Sequence, residues 1–517
     1  MSDSRTWKFS IAAGTVGSLM LHSVLALAAA TGIALLLVLV FASVPARAES
    51  SLDFLLPAPL QDRDFLYDGA PNEARFELGR NLFFDPILSG NRNISCGTCH
   101  DPANGTSDGV ALSIGEGGTG LGRNRRTADG VTERIPRNAQ ALWNIGSSEY
   151  RSMFHDGRVE PDPLSSFQSG YWSPAREHLP AGLDNVLAAQ AMFPVLSAAE
   201  MAGQKGENPV ATAVAEDRVT DAWDLLAARL AATPQYQAQF GAAFPGRSDI
   251  TFAKAANALA AFQTQAFRTD DSPFDHFIAG SPMALSDTAR AGADLFYGKA
   301  GCAGCHSGAL LTDHDFHAIA VPQIGPGKGH GADTSYWRAT GFGAHTEDEG
   351  RYRVTFDTDD LFAYRTPSLR NVALTGPWGH DGAFDDLEVM VRHHLDSIAS
   401  LERYDGNTVS LPPLDKIIEQ TGDASELIFR PLNPGRRAAF DLRDGWVQNS
   451  ADLRGRIARA NELAPVNLQD QEVSNLMAFL ASLTDPTAHD RSHLIPTSVP
   501  SGLAPQPTRP VGPPPKG

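Results

Sequence analysis

The pentapeptides Cys96-Gly97-Thr98-Cys99-His100 and Cys302-Ala303-Gly304-Cys305-His306 constrain this chain more than any other feature. Two cysteines separated by two residues can each bond one vinyl group of a haem, and the histidine after them stands where a ring nitrogen can ligate the iron. Paired C-x-x-C units also bind zinc, but zinc ribbons keep their pairs about 15–20 residues apart. Here the pair at 96–99 is followed by the next only at 302–305, each has a trailing histidine, and no other cysteine occurs among the 517 residues. The motifs predict two covalently attached haem c groups, with no cysteine left for a structural disulfide.

Length allows two or three domains with real cores. The formal charge of −18 argues against nucleic acid and anionic membrane surfaces as partners, because both would repel the chain, and is compatible with a basic redox partner. Arg5 and Lys8 precede a run without Asp, Glu, Lys or Arg that lasts until Arg47, and Ala46-Arg47-Ala48 closes it. Positive start, apolar middle and small-x-small end predict a signal peptide over 1–48 and a periplasmic protein. The run is long enough to span a bilayer, so an uncleaved N-terminal membrane anchor is the alternative.

Two repeats organise the remainder. Ala74–Phe84 leads into the first motif and Ala289–Tyr297 into the second, both with apolar residues at helical spacing. Arg137, Leu142, Asn144 and His155-Asp156-Gly157 recur as Arg365, Leu369, Asn371 and His380-Asp381-Gly382. Helical periodicity also covers 221–232, 252–267 and 471–483, while Thr269-Asp270-Asp271-Ser272-Pro273 breaks the pattern. The expected fold is mainly α, with two cytochrome c-like haem domains in tandem at 49–270 and 271–487. The second carries an insertion near 395–467 of no assignable role. Residues 488–517 read as a proline-rich tail, disordered or an extended spacer.

At these residues the sequence resembles the bacterial dihaem cytochrome c peroxidases and their relative MauG, the methylamine-utilisation maturation enzyme. The matching stretches are Leu78-Gly79-Arg80, Phe83-Phe84-Asp85-Pro86-Ile87-Leu88-Ser89-Gly90, Asp101-Pro102, Arg137-Asn138, Phe193-Pro194-Val195, Glu200-Met201 and Thr366–Thr375. The resemblance spans roughly residues 70–395 and the closing helix. It implies that peroxide reacts at the N-terminal haem, held by Cys96, Cys99 and His100, and that the C-terminal haem, held by Cys302, Cys305 and His306, stores electrons.

The resemblance also implies the roles of single residues. Glu200 matches the family's distal glutamate, a carboxylate able to carry a proton between the two peroxide oxygens, with burial expected to raise its pKa. Gln190 matches a glutamine that hydrogen-bonds the bound oxygens. Where relatives that need reductive activation have a closing histidine, sixteen residues after the proximal one, this chain has Glu116, and no histidine lies between His100 and His155. Glu116 is either a weak ligand or a surface loop residue. The sixth ligand of the second haem, methionine in the peroxidases and tyrosine in MauG, falls on His394, with His393 and then Met390 as the alternatives. A calcium ion between the haems would use Asn138, Thr375 and Pro377, oxygen donors that suit it; otherwise Asn138 merely caps a turn. The family's interhaem tryptophan is replaced by His155, which weakens charge sharing between the haems, and neither Trp143 nor Trp378 is marked as its substitute.

Three activities are compatible with this pattern. The first is a peroxidase that reduces hydrogen peroxide with electrons from a small redox protein, a cytochrome c or a cupredoxin. The second is a MauG-like oxidase that modifies side chains of a partner protein. The third is a non-catalytic dihaem electron carrier, which needs both irons six-coordinate.

Overall fold

The computed structural model describes residues 56–127, 134–164, 167–247, 249–325, 347–412, 416–420, 427–431 and 444–508. The expected signal segment, 1–48, lies outside them. The architecture is a set of α-helices joined by long loops. Strands among the described residues are two-residue pairs and one hairpin, Lys416–Gln420 with Leu427–Pro431.

The helices that position the site are α1 (Glu73–Phe84), α2 (Val186–Ala191), α3 (Pro209–Ala215), α4 (Val219–Ala231), α5 (Pro234–Ala243), α6 (Phe252–Ala266), α7 (Asp287–Tyr297), α8 (Leu387–Leu395), α9 (Ser397–Arg403), α10 (Ala451–Ala460) and α11 (Asp470–Ala481). Helix α1 begins where the Asn72 side chain accepts from the amides of Ala74 and Arg75, and ends at Asp85, which is extended before Pro86. It buries Leu78, Leu82, Phe83 and Phe84 against α6. The two backbones come so close that a Cβ at Gly79 would stand 1.9 Å from the Ala258 carbonyl oxygen and 2.8 Å from Phe262 Cβ. The second repeat builds the same crossing from different residues. A Cβ at Gly292 of α7 would stand 1.9 Å from the Asn475 carbonyl oxygen and 2.8 Å from Phe479 Cβ of α11.

Each crossing seeds its own apolar core. One gathers Leu78, Phe83, Trp223, Tyr236, Leu259 and Phe262, and the other Phe274, Phe296, Leu476 and Phe479. Between them the repeated asparagines converge on one residue. Asn144 donates to the Thr269 carbonyl (2.9 Å) and accepts from the Thr269 amide (2.8 Å), while Asn371 donates to Thr269 Oγ1 (2.9 Å). Both are left-handed, at φ 56° and 59°, a conformation that asparagine tolerates better than most residues.

The two His-Asp-Gly turns are crossed in the same way. The Asn138 amide donates to the His380 carbonyl (2.9 Å) and the Arg365 amide to the His155 carbonyl (2.8 Å). Beneath them lies a buried charge cluster. Arg137 pairs with Asp156 (2.7 Å) and, by two nitrogens, with Asp348 (2.6 and 2.8 Å), with side chains 4 %, 0 % and 3 % exposed. Burial alone would push both carboxyls up, but the Arg137 guanidinium outweighs it and holds Asp156 and Asp348 well below the usual range.

Residues 488–508 depart from the reading as a disordered tail or spacer, and 509–517 lie outside the described residues. Residues 486–508 pack across the first core: Ala488 joins it, and Leu494, Ile495 and Leu503 lie against it. Polar anchors hold the chain down, which composition cannot reveal. The insertion contributes α9, α10 and the hairpin, and its Asp444 forms a buried ion pair with Arg134 (2.7 Å).

Gly292→Ala is expected to lower the unfolding free energy by about 1–3 kcal/mol, the range for forced overpacking. Gly304→Ala, where a Cβ meets none of the described residues within 4 Å, should leave the guanidinium midpoint unchanged. Arg137→Met leaves Asp348 buried without its ion-pair partner and Asp156 with Arg158 alone, and should cost about 3–5 kcal/mol at neutral pH. In the parent chain these depressed groups add stability above their unfolded pKa, near 4, and lose it as pH falls. Unfolding curves of the variant should lose that acid sensitivity.

Candidate functional site: two histidine centres and a cavity

The first motif is one helical turn. Ser95 and Thr98 form a reciprocal cap at its start, and the His100 amide closes the turn on the Cys96 carbonyl (2.9 Å). His100 Nδ1 lies 3.2 Å from the Thr106 carbonyl, which can only accept, so Nδ1 carries the proton and Nε2 keeps its lone pair for a metal. Cys96, Cys99 and His100 line a cavity that encloses about 1300 Å³ of unfilled space, its open mouth included. Phe83, Leu88, Ile94, Leu187 and Leu259 make much of its wall apolar. Burial pushes both thiols up to about 12. A large flat apolar group, bonded by two sulfurs and ligated by one imidazole, suits these walls.

Gln190 and Glu200 line the same cavity. Gln190 sits in the last turn of α2, and Glu200 on a single π-helical turn, Ala198–Ala202, started by Ser197 Oγ, which accepts from the Glu200 amide (3.2 Å). Such turns recur at functional sites because they re-aim one side chain. The loop of Gly115 and Glu116 lies directly on this turn: the Glu116 amide donates to the Ala199 carbonyl (3.0 Å), and a Cβ at Gly115 would fall 2.2 Å from that oxygen.

Glu116 itself is 7 % exposed and is not part of the cavity wall. Its Oε1 accepts from Asn91 (2.9 Å) and Asn93 (2.7 Å), so it ties two loops together rather than facing solvent. Arg125 braces the same loop, donating to the carbonyls of Ile114, Gly115 (2.6 Å) and Gly120 (2.8 Å). No local pattern marks this arginine in the sequence.

The second motif repeats the arrangement. The His306 amide bonds the Cys302 carbonyl (2.9 Å), and His306 Nδ1 donates to the Leu311 carbonyl (3.1 Å). On α8, His394 Nδ1 donates to the Met390 carbonyl (2.9 Å), which leaves Nε2 free. The His306 and His394 rings have centroids 6.4 Å apart. With metal–imidazole distances of about 2.0–2.1 Å, two rings in line on one metal would have centroids roughly 6.3 Å apart. His393 instead spends Nε2 on the Ile319 carbonyl (2.8 Å), and Met390 packs with Val321, Ala383 and Phe384.

His155, in the place of the expected tryptophan, lines the first cavity and donates Nε2–H to the Asn138 carbonyl (3.2 Å). Burial first, then Arg137 and His380, push it down to about 3, so it is neutral. Its repeat partner His380 stacks on Tyr364 at 3.8 Å and 11°, a pair that sequence reading missed. Trp143 sits in the first core edge-on to Phe267, and Trp378 donates to the Val372 carbonyl (3.1 Å).

Of the calcium candidates, Asn138 donates its amide to the Val110 (2.8 Å) and Ala111 (3.2 Å) carbonyls, and Thr375 Oγ1 donates to the Val372 carbonyl (3.2 Å). Pro377 follows Gly376 in a cis peptide. No helix among the described residues is long and apolar enough to cross a membrane.

Comparison with known proteins agrees with this geometry. The family model described as di-haem cytochrome c peroxidase matches residues 73–282. Over 318 residues the chain is 30% identical to the methylamine utilization protein MauG of Methylorubrum extorquens, covering 62% of this chain and 67% of that one. It is 30% identical over 357 residues to the cytochrome-c peroxidase IdrP1 of Denitromonas iodatirespirans (67% and 78%) and 27% identical over 356 residues to the cytochrome c551 peroxidase of Pseudomonas aeruginosa (68% and 81%). The fold is that of the diheme peroxidase BthA from Burkholderia thailandensis, with a TM-score of 0.51 at 20% identity, covering 88% of this chain and 94% of that one. Two haem-binding turns on repeated helix crossings, one beside a roomy cavity and the other facing a second histidine, therefore have a family: the chain belongs to the dihaem cytochrome c peroxidases and MauG, haem oxidoreductases.

Proposed function

We propose that this chain is an exported, periplasmic dihaem c-type peroxidase that reduces hydrogen peroxide at the N-terminal site with electrons received through the C-terminal one. The observation that carries this reading is the shared cavity: the Glu200 turn lies on the same wall system as Cys96, Cys99 and His100. Cys96 and Cys99 would hold a haem there by two thioether bonds, and that haem would supply a redox-active iron. His100 would hold that iron through Nε2, its ring fixed by Thr106. Glu200 accepts the proton of the incoming oxygen and returns it to the departing one, while the Gln190 amide orients the pair. Two electrons and two further protons complete the reduction of one peroxide to two waters.

His306 and His394 hold the second iron, and the 6.4 Å ring separation supports this assignment. A bis-histidine centre has a lower potential than a histidine–methionine one, because methionine ligation raises it. The donor is a small redox protein, a cytochrome c or a cupredoxin. The two haem domains divide at Thr269–Pro273, and Asn138 Oδ1 with the backbone carbonyls of Thr375 and Pro377 would be the oxygen donors for a calcium ion. A second reading, a MauG-like oxidase acting on side chains of a partner protein, draws on two features: Glu116 in the seat of a closing histidine and a sixth ligand that is not methionine.

Glu200→Gln should keep both haem spectra and lower the peroxide rate by two to four orders of magnitude, the range for a lost acid–base group; near-normal stopped-flow rates would remove Glu200 from the mechanism. His394→Ala should convert the second ferric centre from low to high spin in electron paramagnetic resonance, with His393→Ala leaving the signal in place. Fast turnover with a ferrous donor favours the peroxidase, and slow peroxide use with a mass change on a partner protein favours the oxidase.

A further inference from the structure

We infer that residues 486–508 form a strap that shields the first haem-attachment loop, so that a redox protein reaches the enzyme only at the second loop. This rests on the reading that electrons arrive through the C-terminal site. The two loops repeat one another, yet their surroundings differ. At Gly97 an added Cβ would lie 2.7 Å from the Gln506 carbonyl oxygen and 2.6 Å from the Phe84 ring, whereas at Gly304 it would meet none of the described residues within 4 Å. Gly301 and Gly308, which flank the second loop, are equally open.

The strap leaves the second core at α11 and is bonded onto the first along its length. The Arg491 amide donates to the Pro102 carbonyl (2.9 Å), two residues past His100, and Arg491 Nη1 donates to the Ala266 carbonyl (2.6 Å). Arg80 Nε donates to the Leu494 carbonyl (2.8 Å). Asp85, fully buried, accepts from Ser501 Oγ (2.7 Å) and from Tyr236 (2.7 Å). The Gln506 amide donates to the Phe84 carbonyl (2.9 Å), and its own carbonyl accepts from Ser95 Oγ (3.1 Å), the residue before Cys96.

The loop left open is acidic. Asp313, whose amide bonds the Cys305 carbonyl (2.7 Å), is joined through His317 (3.0 Å) to Glu462 (2.9 Å), and Asp315 lies close by. This rim suits a basic partner, which steers to it over a Debye length. The step is a one-electron transfer: the ferrous donor is oxidised to ferric and the enzyme is reduced by one electron, with no bond formed or broken.

The test uses the holoenzyme with a lysine-rich c-type cytochrome, zinc-substituted for binding and ferrous for kinetics. Hydrogen exchange should show protection by the zinc protein at 302–308 and not at 95–99. Ser501→Glu sets a carboxylate against Asp85 and should speed exchange at the Gln506 amide at least tenfold; Leu503→Asp frees the strap by a second route. Either variant should add protection at 95–99. Gly304→Trp, which obstructs the open loop, should slow donor oxidation at least tenfold while the strap is closed, and a strap variant should restore most of that rate. A freed strap with no new protection and no restored rate overturns the shielding role, as does protection at 95–99 in the parent protein. A Gly304→Trp enzyme that is as fast as the parent overturns instead the reading that electrons enter at the second site.

Discussion

The close crossing of two helices behind each haem-binding turn is the constraint on which the rest of the structure depends. Gly79 on α1 and Gly292 on α7 let their helices approach α6 and α11 to a distance that no side chain permits. Buried phenylalanines then fill the remaining space, Phe262 and Phe479 among them. With the helices fixed, the loop that follows each one delivers two cysteines and a histidine to a defined place. His100 and His306 are then locked by carbonyls at Thr106 and Leu311, whose left-handed or neighbouring turn geometry recurs in both repeats. A metal-binding imidazole needs its second nitrogen engaged to fix tautomer and orientation, and both repeats supply it from the backbone.

Between the repeats the chain places charge where it would otherwise place oil. Arg137, Asp156, Asp348 and Arg158 are buried together, with Tyr364 beneath the Arg137 guanidinium. Such a cluster adds little net stability over an apolar seam, but losing one member is costly. Its consequence is a fixed relation between the two His-Asp-Gly turns; burial first, with Arg137 adding to it, keeps His155 and His380 neutral. His155 is therefore an uncharged imidazole bonded to the Asn138 carbonyl.

Duplication gives two similar turns, and the distinction between them comes from what the chain lays around each. The first has a cavity with Glu200 and Gln190 and a cover of C-terminal chain. The second faces His394 across a gap the width of one liganded metal and keeps its attachment loop open. One half thus has a roomy cavity beside its histidine, and the other sets a second imidazole opposite its own.

The sequence by itself determined the two Cys-x-x-Cys-His motifs, the mainly α fold and the repeated helices, because these rest on local spacing, whereas Glu200 and His394 were singled out only by family resemblance. Cysteine pairs, helix periodicity and short motifs are read within one or two turns of chain. Tertiary structure alone decided the rest. Arg137 meets Asp348 across 211 residues, and Ser95 meets Gln506 across 411. Glu116 was legible as an unusual residue in a known seat, but its bonds to Asn91 and Asn93 were not. His393 and His394 are indistinguishable by pattern, and separate only because the Ile319 carbonyl takes one ring nitrogen of His393. The 486–508 strap looked like a spacer because proline-rich composition reports chain stiffness, whereas its docking depends on a buried carboxylate and a helix-end carbonyl from the far end of the chain.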